Sequence, residues 1–167
     1  MTAPTPTVPQ KDYNGPLIVG GVVESFLMVL RDCARDPERR PDKALDDALA
    51  RLGRILGQIA AALEVEYRGP FVGIGAGREA FCLAVRAHEE AAGTTVWGAR
   101  VCSADPHRGL AAHWELDRVS RLRKPILARA LPEFLAGYHT AVAAAHKADT
   151  GAGQRLLALA EALSEDR

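Results

Sequence analysis

With 167 residues, 48% of them hydrophobic and 25% charged, the chain is long enough to bury a core without disulfides or metals and too apolar to be wholly disordered. Its 21 basic and 21 acidic residues cancel, so no global field draws it to nucleic acid or an anionic membrane, and neither partner is expected. Cys33, Cys82 and Cys102 stand far apart with no CxxC pair, which points to a reduced, cytoplasmic setting, and an aromatic content of 5% leaves the core to Leu, Val, Ile and Ala.

Residues 1–16 hold Pro4, Pro6, Pro9 and Pro16 among polar side chains, too little apolar surface to offset ordering entropy, and are expected to form a flexible arm ahead of a single globular domain over 17–167. The apolar run 17–30 is only 14 residues long and carries Glu24 and Ser25, so it reads as core helix rather than membrane span. A first helix is predicted over 20–34, with Gly20 and Gly21 weakening its start. The charged, proline-containing stretch 31–43 is a loop, and Asp42 stands where a helix N-cap belongs.

The strongest pattern follows. Leu45, Leu49, Leu52, Leu56, Ile59 and Leu63 recur at alternating steps of 4 and 3, one helical face that must be buried. Ala48, Gly53, Ile55, Ala60 and Ala62 widen that stripe beyond a zipper seam, so this helix is expected to meet several neighbours within its own domain. Past Tyr67, Phe71, Val72 and Ile74 suggest a short strand among glycines, and Phe81, Ala84, Val85 and His88 recur at helical spacing over 78–92. Residues 94–102 alternate cleanly, with Thr95, Trp97, Ala99 and Val101 on one side. Together 71–102 read as a small βαβ unit. Helical segments are predicted over 109–124, 126–131 and 132–147, the last two opened by Pro125 and Pro132, and a final short amphipathic helix carries Leu156, Leu159 and Leu163. The expected fold is therefore mainly α, a bundle-like domain with a small β element.

Chemistry-bearing patterns are few. The run Gly73-Ile74-Gly75-Ala76-Gly77-Arg78, between a predicted strand and a predicted helix, has the composition of a phosphate-cradling turn, although it lacks the third glycine of a dinucleotide fingerprint and the Lys-Ser/Thr of a P-loop. Residues 72–116 are similar in layout to the acetyl-CoA-dependent N-acetyltransferases, a resemblance that implies pyrophosphate binding by the N–H groups of Gly73, Gly75 and Gly77. Arg68 stands five residues before Gly73 rather than three, and Trp114 occupies that family's late tyrosine position. His139 and His146 are seven residues apart, about 10.5 Å of helical rise, too far to chelate one ion as a pair, and no metal site is expected. Cys82 and His88 are likewise separated, and no serine-hydrolase turn occurs.

Arg118, Arg121, Arg123, Lys124 and Arg129 form a basic cluster that is the candidate interface with an acidic partner or a phosphorylated ligand. With no catalytic set and many apolar helical faces, the expected role is a protein-interaction module, an adaptor, regulatory subunit or assembly factor, that binds another protein or its own copy and needs no cofactor. The alternative is a small transferase or ligand-binding domain holding a phosphate-bearing cofactor such as coenzyme A at 73–78.

Overall fold

The computed structural model describes residues 18–19, 22–23, 25–36, 38, 40–74, 79–105 and 109–164. The expected arm over 1–16 lies outside them. In chain order the elements are β1 (Ile18–Val19), β2 (Val22–Val23), α1 (Ser25–Arg35), α2 (Lys43–Leu63), β3 (Tyr67–Arg68), β4 (Val72–Ile74), β5 (Glu79–Glu89), β6 (Thr95–Asp105), β7 (Gly109–Trp114), α3 (Arg123–Ala144) and α4 (Gly151–Ser164). β1 and β2 pair antiparallel, so the first helix starts at Ser25 and the apolar residues before it serve a small strand pair.

The leucine seam lies where its spacing predicts. α2 is 21 residues long, and Leu45, Leu49, Leu52, Leu56, Ile59 and Leu63 are all buried. Asp42 caps it, its Oδ1 accepting from the Leu45 N–H at 2.9 Å, and Glu64 closes it in the left-handed region. α2 meets α1, α4 and β6, so the wide stripe is shared among several neighbours.

The rest departs from the bundle. Residues 78–92 contain strand β5, not a helix, and no βαβ unit forms. β3, β5, β6 and β7 make an antiparallel sheet in that order, with β4 also paired to β5, and the architecture is mixed α and β. Strand β5 misleads because Phe81, Leu83 and Val85 face the helical core while Cys82 and Ala84 are buried on the opposite face. A strand buried on both sides loses its polar alternation and reads as an unbroken apolar run. Residues 109–114, expected to open a helix, instead form β7, because β6 extends past Val101 and offers a ladder on that side. The two helices expected after Pro125 and Pro132 are one, α3. Pro125 sits in its first turn, and Pro132 lies inside it, where the helix tolerates the lost bond to the Ala128 carbonyl because Leu127, Leu131, Phe134, Leu135 and Tyr138 continue one buried face.

The predicted strand over 94–102 is β6, and of the residues expected to share a side, Trp97, Ala99 and Val101 turn toward the core while Thr95 is exposed. The tight connection to this strand turns at Gly93, whose φ of +77° favours glycine and whose N–H donates to the Glu90 carbonyl. The main core gathers residues of the four described helices with the inward face of the sheet, while Cys82, Ala84 and Cys102 form a second buried cluster on the outward face. Among the described residues no helix is long and apolar enough to cross a membrane.

Candidate functional site: the open edge of β6

Among the described residues, part of one edge of β6 has no strand beside it. The Gly69 N–H donates to the Leu83 carbonyl at 2.8 Å, so Leu83 and Val85 turn their main-chain groups toward β3, and Cys82, Ala84 and Arg86 turn theirs toward β6. The register pairs these three with Cys102, Arg100 and Gly98. Trp97, Ala99 and Val101 are left pointing to the other edge. There Val101 is matched by Trp114 of β7, but the chain then turns away through residues 116–118, and among the described residues no strand pairs with Trp97 and Ala99 on that side.

Two contacts fix the direction independently. A Cβ placed on Gly57 of α2 would stand 3.4 Å from the Trp97 carbonyl oxygen, and the Arg100 Nη1 lies 3.4 Å from the Ala99 carbonyl oxygen. Both carbonyls therefore look into a cleft of about 310 Å³ between β6, α2 and residues 115–117. On α2 the cleft wall is Ala50, Gly53 and Gly57, three small residues along one helical side. The carboxylates of Glu90, Glu115 and Asp117 and the guanidinium groups of Arg54 and Arg100 line the rest.

Arg100 guards this edge. Its guanidinium lies along Gly98, where a Cβ would stand 3.1 Å from Nη1, and its Nη2 is 3.9 Å from Glu115 Oε1. At 3.4 Å its bond to Ala99 is long, so an incoming backbone N–H has a strong claim on that carbonyl. A charged side chain laid over a strand edge is how sheets keep such edges from pairing indiscriminately.

The outward sheet face carries the perturbed thiols. The hydrogen bond from Cys102, aided by the charge of Arg68, holds the Cys82 thiol down at about 7 against the opposing effect of burial. The same hydrogen bond, then burial, then the Cys82 charge push Cys102 far up, against Arg86 and Arg100. The pair gives up its first proton early and holds its second.

The residues singled out in the sequence fall elsewhere. Gly73 lies exposed in β4 opposite Ala80, while Gly75, Gly77 and Arg78 lie outside the described residues. Strand β5 follows them, so the helix N-terminus on which the phosphate argument relied is not present. The basic cluster does not form one patch. Arg118 Nε is 4.0 Å from Glu115 Oε2, and Arg121 Nη2 donates to the Pro41 carbonyl at 3.2 Å. Arg123 stacks over Trp114 and Phe81, with its Cζ 5.4 and 5.9 Å from the ring centres. Lys124 is buried and donates to Asp46 Oδ1 at 2.6 Å, and Arg129 is exposed. Cys82 and His88 share a strand face about 20 Å apart and do not meet. Among the described residues no three His, Cys, Asp or Glu side chains gather around a point that could hold a metal.

Sequence reasoning placed Trp97 and Ala99 on one side of a strand, as they are in β6, but did not find the edge. The signal available was the pair Gly53 and Gly57, two glycines inside a strong helix, which mark a wall that something approaches closely. Comparison with protein-family models, with curated proteins and with solved structures finds no match.

Proposed function

We propose that this chain is a protein-interaction module that takes a short extended peptide segment of another protein on the open edge of β6. The observation that carries this reading is the pair of main-chain edges at Trp97 and Ala99, facing a cleft of about 310 Å³ whose helical wall is stripped of side chains at Gly53 and Gly57. An added strand supplies N–H and C=O groups at the spacing those edges need, and side chains read alternate pockets. Glu90, Glu115 and Asp117 outnumber Arg54 and Arg100 around the cleft, which favours a segment bearing a Lys or Arg. Three cysteines outside any disulfide suit a reducing, cytoplasmic setting for this role.

The test is Ala99→Pro. Proline removes the N–H that faces the cleft while leaving the bonds from Gly98 and Arg100 to β5 intact, and an edge position is where a strand tolerates it. Peptides selected from a random display library against the full chain should protect the amides of Trp97 and Ala99 from hydrogen exchange. They should bind the folded variant more weakly by about 2- to 13-fold, the worth of one net hydrogen bond of 0.5–1.5 kcal/mol. Selected peptides that bind the variant equally well and leave those amides unprotected would remove the proposal.

A further inference from the structure

The open stretch of β6 is stopped at one end, and the stop selects the kind of segment that fits. Trp114 of β7 is the register partner of Val101, so the place beside Val101 is taken, while among the described residues the places beside Ala99 and Trp97 are not. Glu115, Leu116 and Asp117 follow Trp114 and line the same cleft. Leu116 is buried against α2, where a Cβ on Gly53 would stand 3.9 Å from its Cγ, so this segment closes the cleft at the Ala99 end. In the other direction the lining reaches Val96 and Glu90, at the turn between β5 and β6. A strand added antiparallel to β6, as each described strand pair of this sheet is, runs in line with β7 and starts where β7 stops. Its first residue, not its last, meets the closed end. A parallel strand would bring its C-terminal carboxylate there instead.

The polar groups at the closed end distinguish the two. The Ala99 carbonyl oxygen and Glu115 Oε1 are both acceptors, and one cation already reaches round the edge to both: Arg100 Nη1 lies 3.4 Å from the first and Nη2 3.9 Å from the second. Both contacts are long for a guanidinium, so a closer donor displaces it. An α-ammonium carries three N–H donors and one positive charge, enough to serve both acceptors from one point, and its exchange for Arg100 replaces a cation with a cation. Asp117 lines the cleft beside Glu115, and Arg118, 4.0 Å from Glu115 Oε2, is the other cation there. A carboxylate has no donor for either acceptor and meets the like charge of Glu115. Alternate side chains of the added strand turn, as those of Ala99 and Trp97 do, toward the α2 wall that Gly53 and Gly57 leave bare.

Resting on the strand-addition reading above, we propose that the β6 edge takes the free N-terminus of its partner protein, the α-ammonium displacing Arg100 from the Ala99 carbonyl and Glu115. The experiment titrates the full chain with peptides selected on it from a library in which the random segment begins the displayed protein. Each is synthesised with a free N-terminus, with an N-acetyl cap, and with a free N-terminus and an amidated C-terminus. Acetylation should weaken binding by about tenfold or more, the loss of one charge-assisted hydrogen bond, and amidation should change nothing. Glu115→Gln, checked for folding by circular dichroism, should shrink the gap between free and acetylated forms, whereas the comparison on the wild-type chain depends on no variant. Equal binding of free and acetylated peptides that still protect the Trp97 and Ala99 amides from exchange would overturn the N-terminal assignment and leave strand addition standing. Loss on amidation but not on acetylation would reverse the strand and overturn it too, and a gap unchanged in Glu115→Gln would overturn the placing of the ammonium. Peptides that protect neither amide would remove strand addition and this assignment with it.

Discussion

Gly53 is the sharpest place to test whether the cleft wall is kept bare for a reason. It lies in the interior of α2, where glycine costs about 1 kcal/mol relative to alanine because its backbone loses more freedom on folding. A Cβ there would stand 3.9 Å from Leu116 Cγ and 4.0 Å from its Cδ1, ordinary contact with a buried side chain, so no strain offsets the helical gain. Gly53→Ala is therefore expected to stabilise the chain by about 1 kcal/mol, raising Tm by roughly 2–4 °C at this length. In urea the midpoint should rise by about 0.3–1 M with an unchanged slope. Gly57→Ala is the matched control, since its methyl would stand 3.4 Å from the Trp97 carbonyl oxygen and would gain less or nothing. If Gly53→Ala destabilised the chain, glycine would be required for packing and the argument that stability has been sacrificed for an open wall would fail. If it stabilised the chain, peptides selected on the β6 edge should bind the variant less tightly, because the methyl narrows the groove they occupy.

Lys124→Ala should cost about 3–5 kcal/mol if the pair behaves as buried, and less to the extent that water reaches Asp46, so chemical denaturation of Lys124→Ala beside Asp46→Asn measures how dry the contact is. Gly137→Ala sets its new methyl against the hydroxyl of Tyr67, whose ring stacks on Tyr138 and tilts against Phe134, and should lower stability severely, with Tyr67→Ala in the same chain recovering part of the loss in a double-mutant cycle. In the Cys82–Cys102 pair, Cys82 falls from the ordinary 9.0 to about 7. Its contribution to stability should thus grow as pH rises from 7 to 9 and vanish as pH falls through 7, while the raised Cys102 works against stability above 9. Urea midpoints of the wild-type chain and Cys82→Ala across that range should diverge in the same interval, accompanied by one thiolate absorbance band appearing near pH 7.

Half of the fold was legible because its signals were periodic and one-sided. The seam of α2, its Asp42 cap, the alternation of β6 and the last helix all follow from spacing that only one structure satisfies. β5 was illegible for a specific reason. Phe81, Ala84, Val85 and His88 satisfy helical spacing, and the strand's own alternation is erased because its outward side is filled by Cys82 and Ala84 rather than by charges. The charges that would have marked an outward face come only from Arg86 onward, too late to break the pattern. Pro132 misled in the other direction, since the local cost of a proline in a helix was outweighed by the continuous buried face of α3.

The basic cluster shows why a list of like charges is a poor map of an interface. Four of its five members are already engaged: Arg118 with Glu115, Arg121 with a carbonyl, Arg123 with two rings and Lys124 with Asp46. Only the Arg118–Glu115 pair is local; the other three join segments far apart in sequence or pack against rings, which the local sequence does not display. The β6 edge is hidden more deeply, because the lack of a neighbouring strand among the described residues leaves no trace in β6 itself. What the sequence does carry is the response to that open edge. Arg100 sits two residues after Gly98, so its guanidinium can fold back along bare backbone to the Ala99 carbonyl, and two glycines on α2 hold space open across from it. A strand edge meant to stay shut would be covered by a bulky side chain from the helix. One covered by a single flexible arginine with a long hydrogen bond is closed to casual pairing and open to a strand that offers a better donor.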